Sequence, residues 1–363
     1  MSLKKKKIAV VCPHQIDIAP GQRLKYEQYF KDWENNNWDI TVLPFNDAKL
    51  QAIIYKKGFF VAKVLGVLRG YINRIKLLFK LKKYDVVYVF LWVTPFGFPV
   101  FEQLYAKFSK KLIYDIDDAI FLSNSSEYNT IVGKLKGKTK PFSLMKNAAH
   151  VITCTPFLDE IARKYNQKTT DISSTINTDT YQVVNHYKND HTLVLGWSGS
   201  HSTSKYLYLL KDVLIKLNQD YPFKLLVMGD AKFNIEGIDV EALAWSEEIE
   251  ISTLQRFDIG LYPLPNEQWV LGKSGLKALQ YMAVGLPVVA TAIGANYRVI
   301  SDEETGFLVN TEEEWLIALK KLIGNGALRE SFGKNGRAKV ESSYSIKATA
   351  PIYLKIINEL TKT

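Results

Sequence analysis

Residues 258–310 read DIGLYPLPNEQWVLGKSGLKALQYMAVGLPVVATAIGANYRVISDEETGFLVN. The apolar run Ile259–Tyr262 stops at Pro263 and Pro265, as a buried strand entering a loop does. A loop with Gly272, Lys273, Ser274 and Gly275 follows. Leu276, Leu279, Met282 and Ala283 then recur at helical spacing, and Gly285 sits where a helix-ending glycine belongs. Leu286–Ala290 is the next buried strand. Strand, Gly/Ser/Lys loop, short helix and strand in this order make a doubly wound unit. Amide groups at a helix start beside a lysine suit an anion such as a diphosphate.

Outward from this stretch, strands and helices alternate along the whole chain. Ile8–Cys12, Trp38–Leu43, Asp85–Leu91, Lys111–Tyr114, His150–Thr155 and Thr169–Ser174 read as strands of a first α/β domain. Asn177–His191 is polar and turn-rich, a candidate linker. Thr192–Trp197 and Phe223–Met228 open a second series. Helical stretches over Glu312–Ile323, Ala327–Val340 and Ile346–Leu360 close it. The expected domains are 1–180 and 190–344, with a terminal helix over 345–363. At 363 residues and nearly half hydrophobic, the chain is long enough for two cores.

The pattern Lys273-Ser-Gly-Leu-Lys-x-Leu-Gln-Tyr-Met-Ala-x-Gly-Leu-Pro-Val-Val-Ala290, then Gly294 and Thr305–Val309, resembles the donor-binding domain of retaining, family-4-like (group 1) glycosyltransferases of the GT-B fold. The resemblance is good from about Gly196 to Ser345 and loose before that. It implies two Rossmann-like doubly wound domains with an interdomain cleft. It also implies a nucleoside-diphosphate sugar, UDP- or GDP-linked, as co-substrate, with no metal. The family usually carries two glutamates separated by seven residues. Gly272 and Gln280 stand at those positions here. A glutamine can still hydrogen-bond ribose hydroxyls; a glycine offers the sugar no side chain.

Candidate donor-binding residues fall at three turns. Gly21 and Arg23 follow the first strand, where doubly wound folds bind ligands, although no dinucleotide fingerprint is present. Gly199 and Ser200 lie in a small-residue turn after Thr192–Trp197, with Lys205 the nearby cation. Lys273, Ser274, Gly275, Leu276, Lys277 and Gln280 complete the set. Lysine would stabilise the charge that builds on a departing diphosphate.

Tyr114-Asp-Ile-Asp-Asp-Ala119 puts carboxylates at a strand's C-terminal end. In the resembled family a His-Asp pair faces the acceptor there, and Asp117 and Asp118 stand in those places. A carboxylate accepts a hydrogen bond from an attacking hydroxyl. Two other readings stay open: the Asp-x-Asp metal motif of the other large glycosyltransferase fold, and a plain capping cluster. Ser123–Pro141, with Lys134, Lys136, Lys138 and Lys140, reads as a solvated loop beside it.

The net charge of +10 comes from the first half of the chain. From Ala48 to Tyr84 there is no acid, yet Lys49, Lys56, Lys57, Lys63, Arg69, Arg74, Lys76, Lys80, Lys82 and Lys83 alternate with large apolar residues. A solvated face normally mixes signs. This stretch, Lys49–Lys83, fits an anionic membrane surface; no nucleic-acid recognition motif is present. The uncharged run Val86–Phe101 is broken by Pro95, Gly97 and Pro99 and is too short to span a bilayer. Cys12 and Cys154 make neither a disulfide framework nor a metal cluster. The location expected is cytoplasmic and peripheral on the inner face of the plasma membrane.

Together these readings predict hexosyl transfer from a nucleotide sugar to a lipid-linked or cell-surface glycan acceptor, with retention. A catalytically silent GT-B partner and a sugar-nucleotide epimerase are the alternatives.

Overall fold

The structure, a computed structural model, describes residues 5–122, 137–184 and 192–362. Lys134, Lys136 and the linker residues 185–191 lie outside these. The chain forms two compact units. One holds residues 1–174, 271–274 and 349–363; the other holds 175–270 and 275–348.

The first unit is built on a parallel sheet of β1 (Lys6–Cys12), β2 (Trp38–Pro44), β3 (Val86–Phe90), β4 (Leu112–Asp115), β5 (His150–Thr153) and β6 (Thr169–Asp171). Their order is β2-β1-β3-β4-β5-β6. The second contains β7 (Val194–Ser198), β8 (Lys224–Met228), β9 (Asp239–Leu243), β10 (Ile259–Tyr262), β11 (Val288–Thr291) and β12 (Gly306–Val309). The order there is β12-β11-β10-β7-β8-β9, again parallel. Both are Rossmann-like. Strand order reverses between β1 and β3 in one unit and between β7 and β10 in the other. Crevices at such reversals, outside the strands' carboxyl ends, are where doubly wound folds take ligands.

Why these runs form parallel sheets is visible in β8. Leu225 and Val227 face one core with Leu214 and Leu319; Leu226 and Met228 face the opposite core with Leu279 and Met282. A strand covered on both faces needs a continuous apolar run, and each such fully buried side chain contributes roughly 1.5–3 kcal/mol. In the first unit Ala9, Val11, Val87 and Val89 pack with Leu81, Tyr105 and Leu158. Cys12 and Cys154 are both buried.

Two helical segments are irregular, and one expectation, the solvated Lys140, is corrected. The helix after Gly21 is not continuous: it runs Pro20–Arg23, then a 3-10 turn Glu27–Tyr29, then Phe30–Asn35. Gln22, Lys25 and Glu27 are all buried there and bonded to loop and strand atoms, which a regular spiral would not allow. Lys140 is not solvated. Its ammonium is buried, 3.3 Å from Glu102 and donating to the carbonyls of Thr94 and Phe96. The segment after the β7 turn begins as a 3-10 helix, Ser204–Leu210, before the α-helix Lys211–Asp220.

Candidate active site

In the first unit, β4 delivers a row of carboxylates. Asp115 is fully buried; Tyr88 donates its hydroxyl to one oxygen, and Lys25 Nζ stands 3.7 Å from the other. Lys25 is itself buried and donates to the carbonyls of Thr153 and Ile172. Asp117 lies against the turn after β1: a methyl group on Gly21 would stand 3.1 Å from its Oδ2. Burial, then the charges of Asp118 and Asp115, push the Asp117 carboxyl up to about 7. Asp118 accepts from Lys273 Nζ at 2.6 Å and from the Ala119 amide at 2.8 Å.

Four of the expected site residues, Gly21, Asp117, Asp118 and Lys273, therefore come together. Arg23 ends the same short helix as Gly21 and is half-buried. Ser274 is buried, its hydroxyl 2.7 Å from that of Ser174. Gly272 also finds its reason. A Cβ there would come within 2.7 Å of the Ala119 side chain and 2.8 Å of its amide nitrogen. No glutamate fits in this arrangement.

The second unit offers a cation at its strand reversal. Lys277 Nζ sits 4.8 Å from the centre of the Trp197 ring and 5.4 Å from that of Tyr262. Trp197 belongs to β7 and Tyr262 ends β10. Lys277 rises from the helix Leu276–Ala283, whose N-cap is Gly275 in the left-handed region at φ +77°. Gly260 sets the frame. A Cβ at Gly260 would meet the Tyr281 ring at 2.3 Å; without one, Tyr281 packs against β10 and accepts a hydrogen bond from the Ser198 amide at 2.9 Å.

The turn after β7 differs from expectation. The Gly199 amide donates to the Met228 carbonyl and the Ser200 amide to the Thr203 hydroxyl. These two N–H groups are already used. His201 and Ser204 both contact Asp230, at 3.1 and 2.6 Å, which fixes the turn from below. Lys205 is exposed beside the Tyr206 ring. Gln280 is buried. Its amide donates to Tyr181 (3.0 Å) and Glu250 (3.2 Å), and Glu250 also accepts from Tyr181 and Trp245. Among the described residues no group of three His, Cys, Asp or Glu is disposed to hold a metal ion.

Lys25, Trp197, Tyr262 and Glu250 are residues that sequence reasoning missed. Aromatics ending two apolar strands just before loops were the available signal for Trp197 and Tyr262. Lys25 and Glu250 left none, because both owe their place to distant partners.

Residues 192–325 match the family described as Glycosyl transferases group 1. Over 165 residues the chain is 27% identical to the capsular polysaccharide biosynthesis glycosyltransferase CapM of Staphylococcus aureus, covering 42% of each protein. The chain thus spans less than half the length of that relative. Sucrose-phosphate synthase from Thermosynechococcus elongatus has a similar fold, with TM-score 0.71 at 16% identity over 98% of this chain and 99% of that one. HepE from Anabaena, solved in complex with UDP and glucose, gives 0.68 at 14% over 98% and 100%. The family match covers residues 192–325 only, and the solved structures support the GT-B fold.

Proposed function

We propose that this chain transfers a hexosyl unit from a nucleoside-diphosphate sugar to a hydroxyl of a lipid-linked or cell-surface glycan, with retention of configuration. The observation that carries the reading is the ammonium of Lys277 above the ends of β7 and β10. A cation at a strand reversal suits the diphosphate of the donor. Lys273 is the second candidate for that role. In the first unit Asp117 receives the hydrogen bond of the acceptor hydroxyl. The bond from the anomeric carbon to the diphosphate breaks, a new bond forms to the acceptor oxygen, and the acceptor's proton leaves to a carboxylate.

A UDP-linked donor is favoured, in keeping with the UDP and UDP-glucose complexes of HepE. A polysaccharide acceptor is in keeping with the name of CapM. The location is the inner face of the plasma membrane.

Calorimetry with UDP, GDP and their sugars, followed by hydrolysis and transfer assays, tests the reading. Micromolar binding of one nucleotide with turnover is expected. Binding without turnover on any acceptor favours a silent partner protein, and interconversion of the free donor an epimerase. Absence of nucleotide binding sinks the proposal.

A further inference from the structure

The helix Phe60–Leu78 is turned inside out. The residues it buries are Gly66, Gly70, Arg74 and Leu77. Gly66 packs against Leu50 and Gly70 against the Phe45 ring, so closely that a Cβ at either would come within 3.0 Å of them. Arg74 donates to the carbonyls of Val93, Leu43 and Cys12. The large apolar residues point the other way. Val61, Leu65, Leu68, Ile72, Ile75 and Phe79 are all between 47% and 82% exposed. At 100° per residue they fall within a stripe about 80° wide, opposite the glycines. An ordinary surface helix buries its apolar stripe; this one presents it to solvent.

The rim of the stripe is basic in balance: Lys76 and Lys80 border it on one side, and Arg69 beside them is paired with Asp47. The acids that bracket this stretch in sequence are already paired: Asp47 with Arg69 at 2.7 Å and Asp85 with Lys110 at 2.9 Å. At the N-terminal tip stand Lys56, Lys57, Gly58, Phe59 and Phe60, all exposed. Phe59 holds a left-handed φ of +57° and Phe60 is 79% exposed. Among the described residues no helix is long and apolar enough to cross a membrane.

We infer that the helix Phe60–Leu78 lies flat in the headgroup region of an anionic bilayer, its apolar stripe and the Phe59–Phe60 tip sunk into the lipid. Charge complementarity decides the occupant. A second copy of the chain would set one basic rim against another, whereas acidic lipid headgroups match it. The flanking lysines run their methylene stems along the stripe and keep their ammonium groups at the headgroups. This deepens the proposed membrane location. It is independent of the donor chemistry, so loss of vesicle binding with nucleotide binding intact would overturn it alone.

The test is partitioning of the full chain onto phosphatidylcholine vesicles with and without one third phosphatidylglycerol. The expected result is at least tenfold stronger binding to the anionic vesicles, falling as salt is raised. The triple variant Phe60→Ser, Leu68→Ser, Ile72→Ser alters only exposed positions. It is expected to keep its circular dichroism and melting and to lose at least tenfold in partitioning. Lys57→Gln, Lys76→Gln and Lys80→Gln should each lose roughly fivefold. Equal binding to both vesicle types, or unchanged binding of the triple variant, overturns the inference. So does a lipid-free dimer that the triple variant disperses, which would make a second copy the occupant.

Discussion

The ammonium of Lys273 lies 2.6 Å from a carboxylate oxygen of Asp118. Both side chains are more than a third exposed, so the pair is worth at most about 1 kcal/mol to the fold. Its importance is electrostatic competition: a diphosphate that uses Lys273 must take it from Asp118. Asp118→Asn is therefore expected to tighten UDP or pyrophosphate binding severalfold at low salt, with little change in melting. Calorimetry reads this directly. If the affinity stays the same, Lys273 is not a phosphate ligand.

Lys277 presents the opposite case, a cation held over aromatic rings. Lys277→Met keeps the packing against Trp197 and Tyr262 and removes only the charge. A charged hydrogen bond to phosphate is worth roughly 1.5–3 kcal/mol. Nucleotide affinity is expected to fall roughly ten- to a hundredfold, with melting close to wild type. An affinity within twofold of wild type would remove Lys277 from the donor site.

Asp117 ties activity and stability to pH in opposite directions. Its carboxyl rises from 3.8 to about 7 in the folded chain, chiefly through burial and then through Asp118 and Asp115. The folded state thus favours the protonated form. That stabilisation is complete below about pH 4 and is lost as pH climbs through 7. Transfer by an ionised Asp117 should instead increase through the same range. Asp117→Asn is expected to abolish transfer and to flatten the stability profile, gaining roughly 2 kcal/mol over wild type at pH 8. This is less than the whole shift implies, because the carboxylate keeps some contact with water. Denaturant titrations at pH 5 and pH 8 check the sign.

Arg74 is bound to three backbone carbonyls at 2.8, 2.9 and 3.0 Å. Replacing it with methionine strips the guanidinium bonds from those buried carbonyls, of which Cys12 keeps only the bond from the Phe45 amide. The expected loss is roughly 2–4 kcal/mol, read as a shift in the urea midpoint at constant slope. Arg74→Lys should restore only part of it, since one ammonium group cannot reproduce the guanidinium fork. Full recovery with lysine would show that charge alone matters at this position.

What could be read beforehand follows from locality. Ile8–Cys12, Val86–Phe90 and Val288–Thr291 are buried on both faces, and such strands announce themselves as apolar runs. The strand Asp239–Leu243 did not. It is an edge strand whose Asp239 and Glu241 keep contact with solvent, so its pattern resembles a loop. Lys140 was misread because its neighbours in sequence are lysines, whereas its burial depends on Glu102 and Thr94. The aspartates after β4 were visible from their place at a strand end. The Lys277–Trp197–Tyr262 group was only partly visible: each member is unremarkable alone, and three separate segments must meet before it exists. Composition marked the stretch near residue 70 as basic and apolar together, but not that its glycines would face inward.

Both native thiols are shut away. Cys12 and Cys154 are buried, and burial raises the Cys12 thiol to about 11, so neither presents a thiolate to reagents at neutral pH. A single cysteine introduced at exposed Leu68 or Tyr208 would consequently be alkylated alone, and fluorophores or spin labels can be attached without first stripping the chain of its own sulfur.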